Sequence, residues 1–246
     1  MPDFSGQTAI VTGGTRGIGR SISEAFLTAG AQVVATYTSN DEAAQAFRDG
    51  LKQFEAKLHL RKFDVADYSA CEQFFQYIDD ELGGCQVVVN NSGIRKDAVV
   101  GAMEPADWNR VLEVNLTGTF NMSKFAVRSM MRKRYGRIIN ITSPCGHFGF
   151  RGQANYAASK AGQVGLARSL SKEVASRNIT VNCVSPGFID TELIADLPED
   201  LVKQYKAQVP LGRFGTGAEV AACVLFLASR ESSYVTGTTL EVTGGL

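Results

Sequence analysis

The chain has 246 residues, 44% hydrophobic and 20% charged, which is the composition of an ordinary globular protein with ample apolar material for a core. Lys+Arg and Asp+Glu stand at 25 each, so bulk charge gives no case for binding nucleic acid or a membrane surface, and no apolar run approaches the ~20 residues of a membrane span. Five scattered cysteines (Cys71, Cys85, Cys145, Cys183, Cys223) and two distant histidines (His59, His147) match no metal-ligand spacing, so no metal is expected and the thiols are expected reduced.

Residues 1–7 are polar and lead straight into an apolar run, which leaves no room for a signal peptide and points to the cytoplasm. The first strand is expected at 8–12. Thr12-Gly13-Gly14-Thr15-Arg16-Gly17-Ile18-Gly19 follows it and opens a helix over 17–28. Gly13, Gly17 and Gly19 are the key positions: glycine turns tightly and lets backbone approach a pyrophosphate, and the helix start offers free N–H groups to phosphates. The plain alternative is an ordinary tight turn. A second strand at 32–37 runs into Thr38-Ser39-Asn40, with no carboxylate before Asp41. An acid at that place would accept the ribose 2′-hydroxyl of NAD and repel a 2′-phosphate. Thr38 and Ser39 donate hydrogen bonds instead, and Arg16 supplies charge, so NADPH is the expected cofactor. Arg16 also reads as a solvated charge. Asp41 reads as a ribose ligand or as the cap of a helix at 41–53.

Further strands are expected at 57–63, 86–90, 137–142, 180–184 and 239–242, and helices at 68–82, 105–134, 153–176 and 218–229. The strands are nearly continuous in Val, Ile and Thr, as strands covered on both faces are. Their alternation with helices predicts one α/β domain over 1–246. Its form is a Rossmann-type, doubly wound, seven-stranded parallel sheet flanked by helices on both faces. Ligands in such sheets sit beyond the carboxyl ends of the strands. Ser143 lies there, after the fifth expected strand, where its hydroxyl can donate to a carbonyl oxygen as charge develops. Tyr156 and Lys160 share one face of the next helix at i, i+4. A nearby ammonium is expected to lower the phenol's pKa from ~10 toward a useful range. Between strand and helix, Thr191 to Val209 reads as a substrate lid, with Leu193, Ile194, Leu197 and Pro198, or as routine packing.

Together these residues resemble the short-chain dehydrogenase/reductase family along essentially the whole chain. Thr12 to Gly19 matches its glycine loop, and Asn90-Asn91-Ser92-Gly93 its N-N-A-G motif with Ser92 for alanine. Asn115 matches its central-helix asparagine; Ser143, Tyr156 and Lys160 match its serine and Y-x-x-x-K pair; Pro186-Gly187 matches its P-G turn. The resemblance implies that Tyr156 is the general acid in reduction, Lys160 activates it and contacts the nicotinamide ribose, and Ser143 holds the substrate oxygen. Asn115 would position a water linking Lys160 to a proton relay. It further implies that Gly13, Thr15, Arg16, Gly17, Ile18, Gly19 and Thr38 hold the phosphates. Asp64 and Val65 would touch adenine, Asn91 and Gly93 line the cleft, and Pro186, Gly187, Ile189 and Thr191 lie by the nicotinamide. Pro144-Cys145 departs from the family's usual small or aliphatic residues and puts the substrate pocket in question.

Within the family the likeness is to 3-oxoacyl-[acyl-carrier-protein] reductases, through Gly93-Ile94-Arg95-Lys96-Asp97, 130–137, Gly152 to Ala158 and Glu173-Val174-Ala175-Ser176-Arg177. That class reduces 3-oxoacyl thioesters in fatty-acid synthesis and forms homotetramers. A basic cluster, Arg128, Arg132, Lys133, Arg134 and Arg137, offers an acidic carrier protein a landing place, with Arg134 and Arg177 as the members the resemblance suggests. Its other reading is helix-terminal charge on a solvated face. The alternatives of function are a reductase of 3-oxoacyl-CoA or another ketone, and a non-catalytic NADPH-binding regulator.

Overall fold

Ala9 and Val11 point into one hydrophobic cluster and Ile10 into another, and Val87, Val88 and Val89 divide in the same way. Successive strand side chains alternate faces, so a run apolar at every position demands a cover on each side. The computed structural model describes residues 2–191 and 199–246. Its strands are Thr8–Val11 (β1), Gln32–Tyr37 (β2), Leu58–Lys62 (β3), Val87–Asn90 (β4), Gly136–Ile141 (β5) and Ile179–Pro186 (β6). Then come two-residue strands Ile189–Asp190 (β7) and Gly215–Thr216 (β8), and finally Thr239–Val242 (β9). The main sheet has seven parallel strands in the order β3-β2-β1-β4-β5-β6-β9, so the expected doubly wound, single-domain α/β fold is present.

The helices are Gly17–Thr28 (α1), Asp41–Asp49 (α2), Tyr68–Glu81 (α3), Pro105–Leu112 (α4), Gly118–Lys133 (α5), Cys145–Phe148 (α6), Ala154–Val174 (α7), Glu199–Gln208 (α8) and Gly217–Ala228 (α9). One face of the sheet is covered by α1 and α9 through Ile22, Phe26, Val220 and Val224. The other is covered by α3, α5 and α7 through Phe74, Ile78, Met122, Met130, Ala167 and Val174. Local signals start the helices. Asn40 and Asp67 accept hydrogen bonds from the first turns of α2 and α3, Pro105 opens α4, and Thr216 with Glu219 forms a capping box on α9.

The differences from expectation are local. The helix expected over 41–53 stops at Asp49, before the poor helix former Gly50, and a 3₁₀ turn, Lys52–Lys57, follows. The helix expected over 105–134 contains a π-helical turn, Glu113–Thr117, between α4 and α5. The short α6 and the β7–β8 pair were not anticipated, because elements of two to four residues carry no periodicity to read. Leu193, Ile194, Leu197 and Pro198 of the expected lid lie outside the described residues. Among the described residues no helix is long and apolar enough to cross a membrane, and no group of side chains is arranged to hold a metal.

Candidate active site

The carboxyl ends of β1, β4, β5 and β6 form the rim on which the expected site residues collect. After β1 the chain makes its glycine turn with Gly13 at φ 60° and Gly17 at φ 51°, both left-handed. At Gly19 an added Cβ would overlap the Gly13 carbonyl and come within 2.5 Å of Asn91 Nδ2, so only glycine fits. Asn91 Nδ2 donates to the carbonyls of Thr12 (2.9 Å) and Gly13 (3.2 Å), while Thr12 Oγ1 accepts from the N–H groups of Asn91 and Ser92, each at 2.9 Å. Asn91 therefore clamps the glycine loop to the end of β4. The helix after the loop has no side-chain cap at Arg16, which leaves first-turn N–H groups open to an anion. Thr191 approaches this loop across the cleft, its Cγ2 lying 4.0 Å from where a Cβ on Gly17 would be.

Arg16 in the glycine loop and Thr38 just after β2 are both exposed. Asp41 is neither cap nor free: Asn40 caps α2, and the Asp41 carboxylate pairs with Lys62 at 2.6 Å. That ion pair and hydrogen bond hold Asp41 below the usual carboxylate range. Asp64 follows β3, accepts from the Ala66 N–H at 2.9 Å, and pairs with Arg110 of α4. Val65 is buried against Gly118. Ile189 is buried in β7, and the Gly187 N–H donates to the Val242 carbonyl at 3.0 Å, which joins the P-G turn after Pro186 to β9.

After β5 come Ser143 and then Pro144, whose φ of −55° presets the start of α6. Pro144-Cys145 thus builds a short helix rather than a loop, packed through Gly146 against Lys160 and Ala161. Cys145 Sγ donates to Gln153 Oε1 at 3.3 Å, and Gln153 Nε2 donates to Asp97 Oδ2 at 3.0 Å. Ser143 lies close enough to Tyr156 to pull its phenol pKa down, and Lys160 Nζ lies 5.5 Å from the Tyr156 ring centroid. The three groups expected to meet do meet. Burial pushes the Tyr156 phenol up to about 12, against a smaller downward pull from Ser143, so the expected lowering is reversed. Lys160, only 3% exposed, donates to the Ile141 carbonyl at 2.7 Å and to Gln163 Oε1 at 3.2 Å. Desolvation brings its ammonium down to about 8.

Asn115 sits in the π-helical turn, fully buried. Its Oδ1 accepts from the Ile94 N–H (2.8 Å) and its Nδ2 donates to the Ile94 carbonyl (3.0 Å) and to Ser159 Oγ (3.1 Å). This one side chain pins the segment after Gly93 to α7. Sequence reasoning missed Thr12, Ser159 and Gln163. Gln163 was legible, since it lies at i+7 from Tyr156 and i+3 from Lys160 on the same face.

Of the basic cluster, Arg137 is not on the surface. It is 3% exposed, with its guanidinium donating to the carbonyls of Ser229, Gly136 and Asn178. Arg128 and Arg132 pair with Glu72 and Asp79. Arg134, at the left-handed end of α5, reaches toward the Ser176 carbonyl beside Arg177. Both precede strands, β5 and β6, so they sit on the opposite rim from Ser143, about 20 Å of strand away.

A family model described as "Enoyl-(Acyl carrier protein) reductase" matches residues 13–246. The 3-oxoacyl-[acyl-carrier-protein] reductase of Escherichia coli (strain K12) is 46% identical over 244 residues, covering 99% of this chain and 98% of the relative. That of Aquifex aeolicus (strain VF5) is 43% identical over 243 residues with the same coverage. The acetoacetyl-CoA reductase of Shinella zoogloeoides is 43% identical over 240 residues, 97% of this chain and 98% of the relative. With the glycine loop, the clamped cleft and the Ser143–Tyr156–Lys160 group on one rim, the chain belongs to the short-chain dehydrogenase/reductase family of oxidoreductases.

Proposed function

We propose that this protein reduces the keto group of a 3-oxoacyl thioester, carried by acyl carrier protein, to the 3-hydroxyacyl thioester with NADPH, in fatty-acid synthesis. The observation that carries the reading is the meeting of Ser143 and Tyr156 on one rim, with the buried Lys160 ammonium 5.5 Å from the Tyr156 ring. The residues present fit a dinucleotide. Gly13 and Gly19 let the loop pack tightly against Asn91, Gly17 leaves its cleft side open, the α1 N–H groups are uncapped, and Arg16 stands exposed for a 2′-phosphate. Thr15, Gly17, Ile18 and Thr38 complete the phosphate side. Asp64 and Val65 take the adenine side, and Asn91, Gly93, Pro186, Gly187, Ile189 and Thr191 the nicotinamide side. When bound, NADPH supplies hydride to the carbonyl carbon.

Ser143 Oγ donates to the substrate oxygen and stabilises the charge that develops there. Tyr156, held protonated at neutral pH, gives that oxygen its proton; an alkoxide is the stronger base, so the transfer runs downhill. The Lys160 ammonium then faces the phenolate and favours it. Asn115 holds the frame in which these groups meet.

Arg134 and Arg177 are the proposed carrier contacts. Because they lie on the far rim, a carrier seated on them serves the cleft of a neighbouring copy in a homotetramer. Exposed Ala158, Ala161 and Gly165 on α7 and Phe120 on α5 offer small and apolar surface for that packing. The protein is proposed to act in the cytoplasm. The second reading, reduction of acetoacetyl-CoA, is favoured by the likeness to the acetoacetyl-CoA reductase.

NADPH oxidation with acetoacetyl groups on carrier protein and on CoA, for wild type and Tyr156→Phe, tests the proposal. We expect faster turnover of the carrier-bound form, and loss of turnover in the variant with NADPH binding kept. NADPH binding without turnover of any ketone by the wild type would revive a regulatory role.

A further inference from the structure

We propose that Gln163 is a positioning residue that ties the Lys160 ammonium to the Asn115 backbone carbonyl. The inference rests on the reading of Tyr156 and Lys160 as the proton-transfer pair. Gln163 is 0% exposed, and its amide makes three hydrogen bonds. Oε1 accepts from Lys160 Nζ at 3.2 Å. Nε2 donates to the Asn115 carbonyl at 2.8 Å and to Thr119 Oγ1 at 2.7 Å. The amide orientation is dictated by its neighbours: an ammonium only donates, so it must meet Oε1, and a carbonyl only accepts, so it must meet Nε2. Thr119 Oγ1 donates to the same Asn115 carbonyl at 2.7 Å, so two side-chain donors suffice for both of its lone pairs. The Asn115 carbonyl is thus satisfied by side chains of α5 and α7.

The consequence is a fixed ammonium. Lys160 is held between the end of β5 and the π-helical turn, on one side by Ile141 and on the other by Gln163. The titratable groups facing Lys160 are Tyr156 on its own helix and Cys183 on β6. Cys145 of α6, Arg95 and Asp97 act on Tyr156 from the other side, and Glu113 of the π-helical turn points to Arg110 at 3.7 Å. None of the groups facing Lys160 is a carboxylate. A change at Gln163 is therefore felt directly by the ammonium.

Two variants test this with opposite signs. Gln163→Leu removes the acceptor, so the ammonium loses its proton at lower pH; Gln163→Glu supplies a carboxylate, so it keeps the proton to higher pH. The kcat profile for ketone reduction should lose its basic limb about one pH unit earlier in the first and later in the second, with KM for NADPH little changed. Independently of turnover, the Lys160 resonance in isotopically lysine-labelled protein without dinucleotide should titrate in the order Leu, wild type, Glu. Gln163→Glu is near-isosteric and covers the case in which Gln163→Leu fails to fold. Titration of Lys160 at the wild-type pH in both variants, or a shift in the same direction in both, overturns the proposal. Turnover retained in Tyr156→Phe would instead overturn the underlying catalytic reading, and the resonance titration would still decide the tie.

Discussion

Lys160 Nζ lies 5.5 Å from the Tyr156 ring centroid while donating a 2.7 Å hydrogen bond to the carbonyl of Ile141, the last residue of β5. The ammonium is thus anchored to the sheet and not to the phenol. In the proposed reaction it would act on Tyr156 through space, so its charge state is the quantity that matters.

That charge state has a pH signature. Burial brings Lys160 down from 10.5 to about 8. Ketone reduction should therefore decline as pH rises through about 8, where the ammonium is lost. Stability moves the other way. Between about 8 and 10.5 the unfolded chain binds the proton that the folded chain has released, so this group's contribution to stability rises with pH. Urea unfolding at pH 7 and 9.5 should show wild type gaining relative to Lys160→Met. A gap that stays constant would mean that Lys160 keeps its ordinary pKa.

Gly19→Ala should damage dinucleotide binding more than folding. The new methyl would collide with the Gly13 carbonyl and Asn91 Nδ2, the two groups that shape and clamp the loop. A steric conflict of this kind costs about 1–3 kcal/mol, or about 5- to 150-fold in Kd for NADPH. Fluorescence titration measures it, and an unchanged Kd would show that the loop is not the phosphate site.

Arg16→Ala should lower the preference for NADPH over NADH by about tenfold, since one charge-assisted contact to a phosphate is removed. Arg16 is exposed and has no acidic partner among the described residues, so stability should hold. Equal losses with both cofactors would place the 2′-phosphate elsewhere.

Arg134→Glu combined with Arg177→Glu should raise KM for a carrier-bound substrate about tenfold and leave the CoA substrate unaffected. Ser143 and the proposed proton-transfer pair lie on the opposite rim, so kcat on CoA substrates is the internal control. Parallel losses on both substrates would point to misfolding or to a role other than docking.

The seven strands and the glycine loop were legible because their signals are local: doubly apolar runs of Val and Ile, and glycines where backbone must bend back on itself. Ser143, Tyr156 and Lys160 were legible from strand-end position and helical spacing. Partners far apart in sequence were not. Nothing in the residues near Arg137 reveals that three carbonyls swallow its guanidinium, one of them from Ser229. Likewise the raised Tyr156 pKa reflects enclosure by the whole cleft, which spacing on one helix cannot report.

The π-helical turn at Glu113–Thr117 works as a phase shifter. One extra residue in the turn sets Gly118–Lys133 about 100° ahead of where an unbroken α-helix would leave it. Asn115 can then reach Ile94 and Ser159 while Met122, Phe125, Ala126 and Met130 still look at the sheet. Deleting a single residue from this stretch would make a more regular helix and a worse protein: to keep Asn115 on target, the following four turns would have to swing their apolar stripe away from the core.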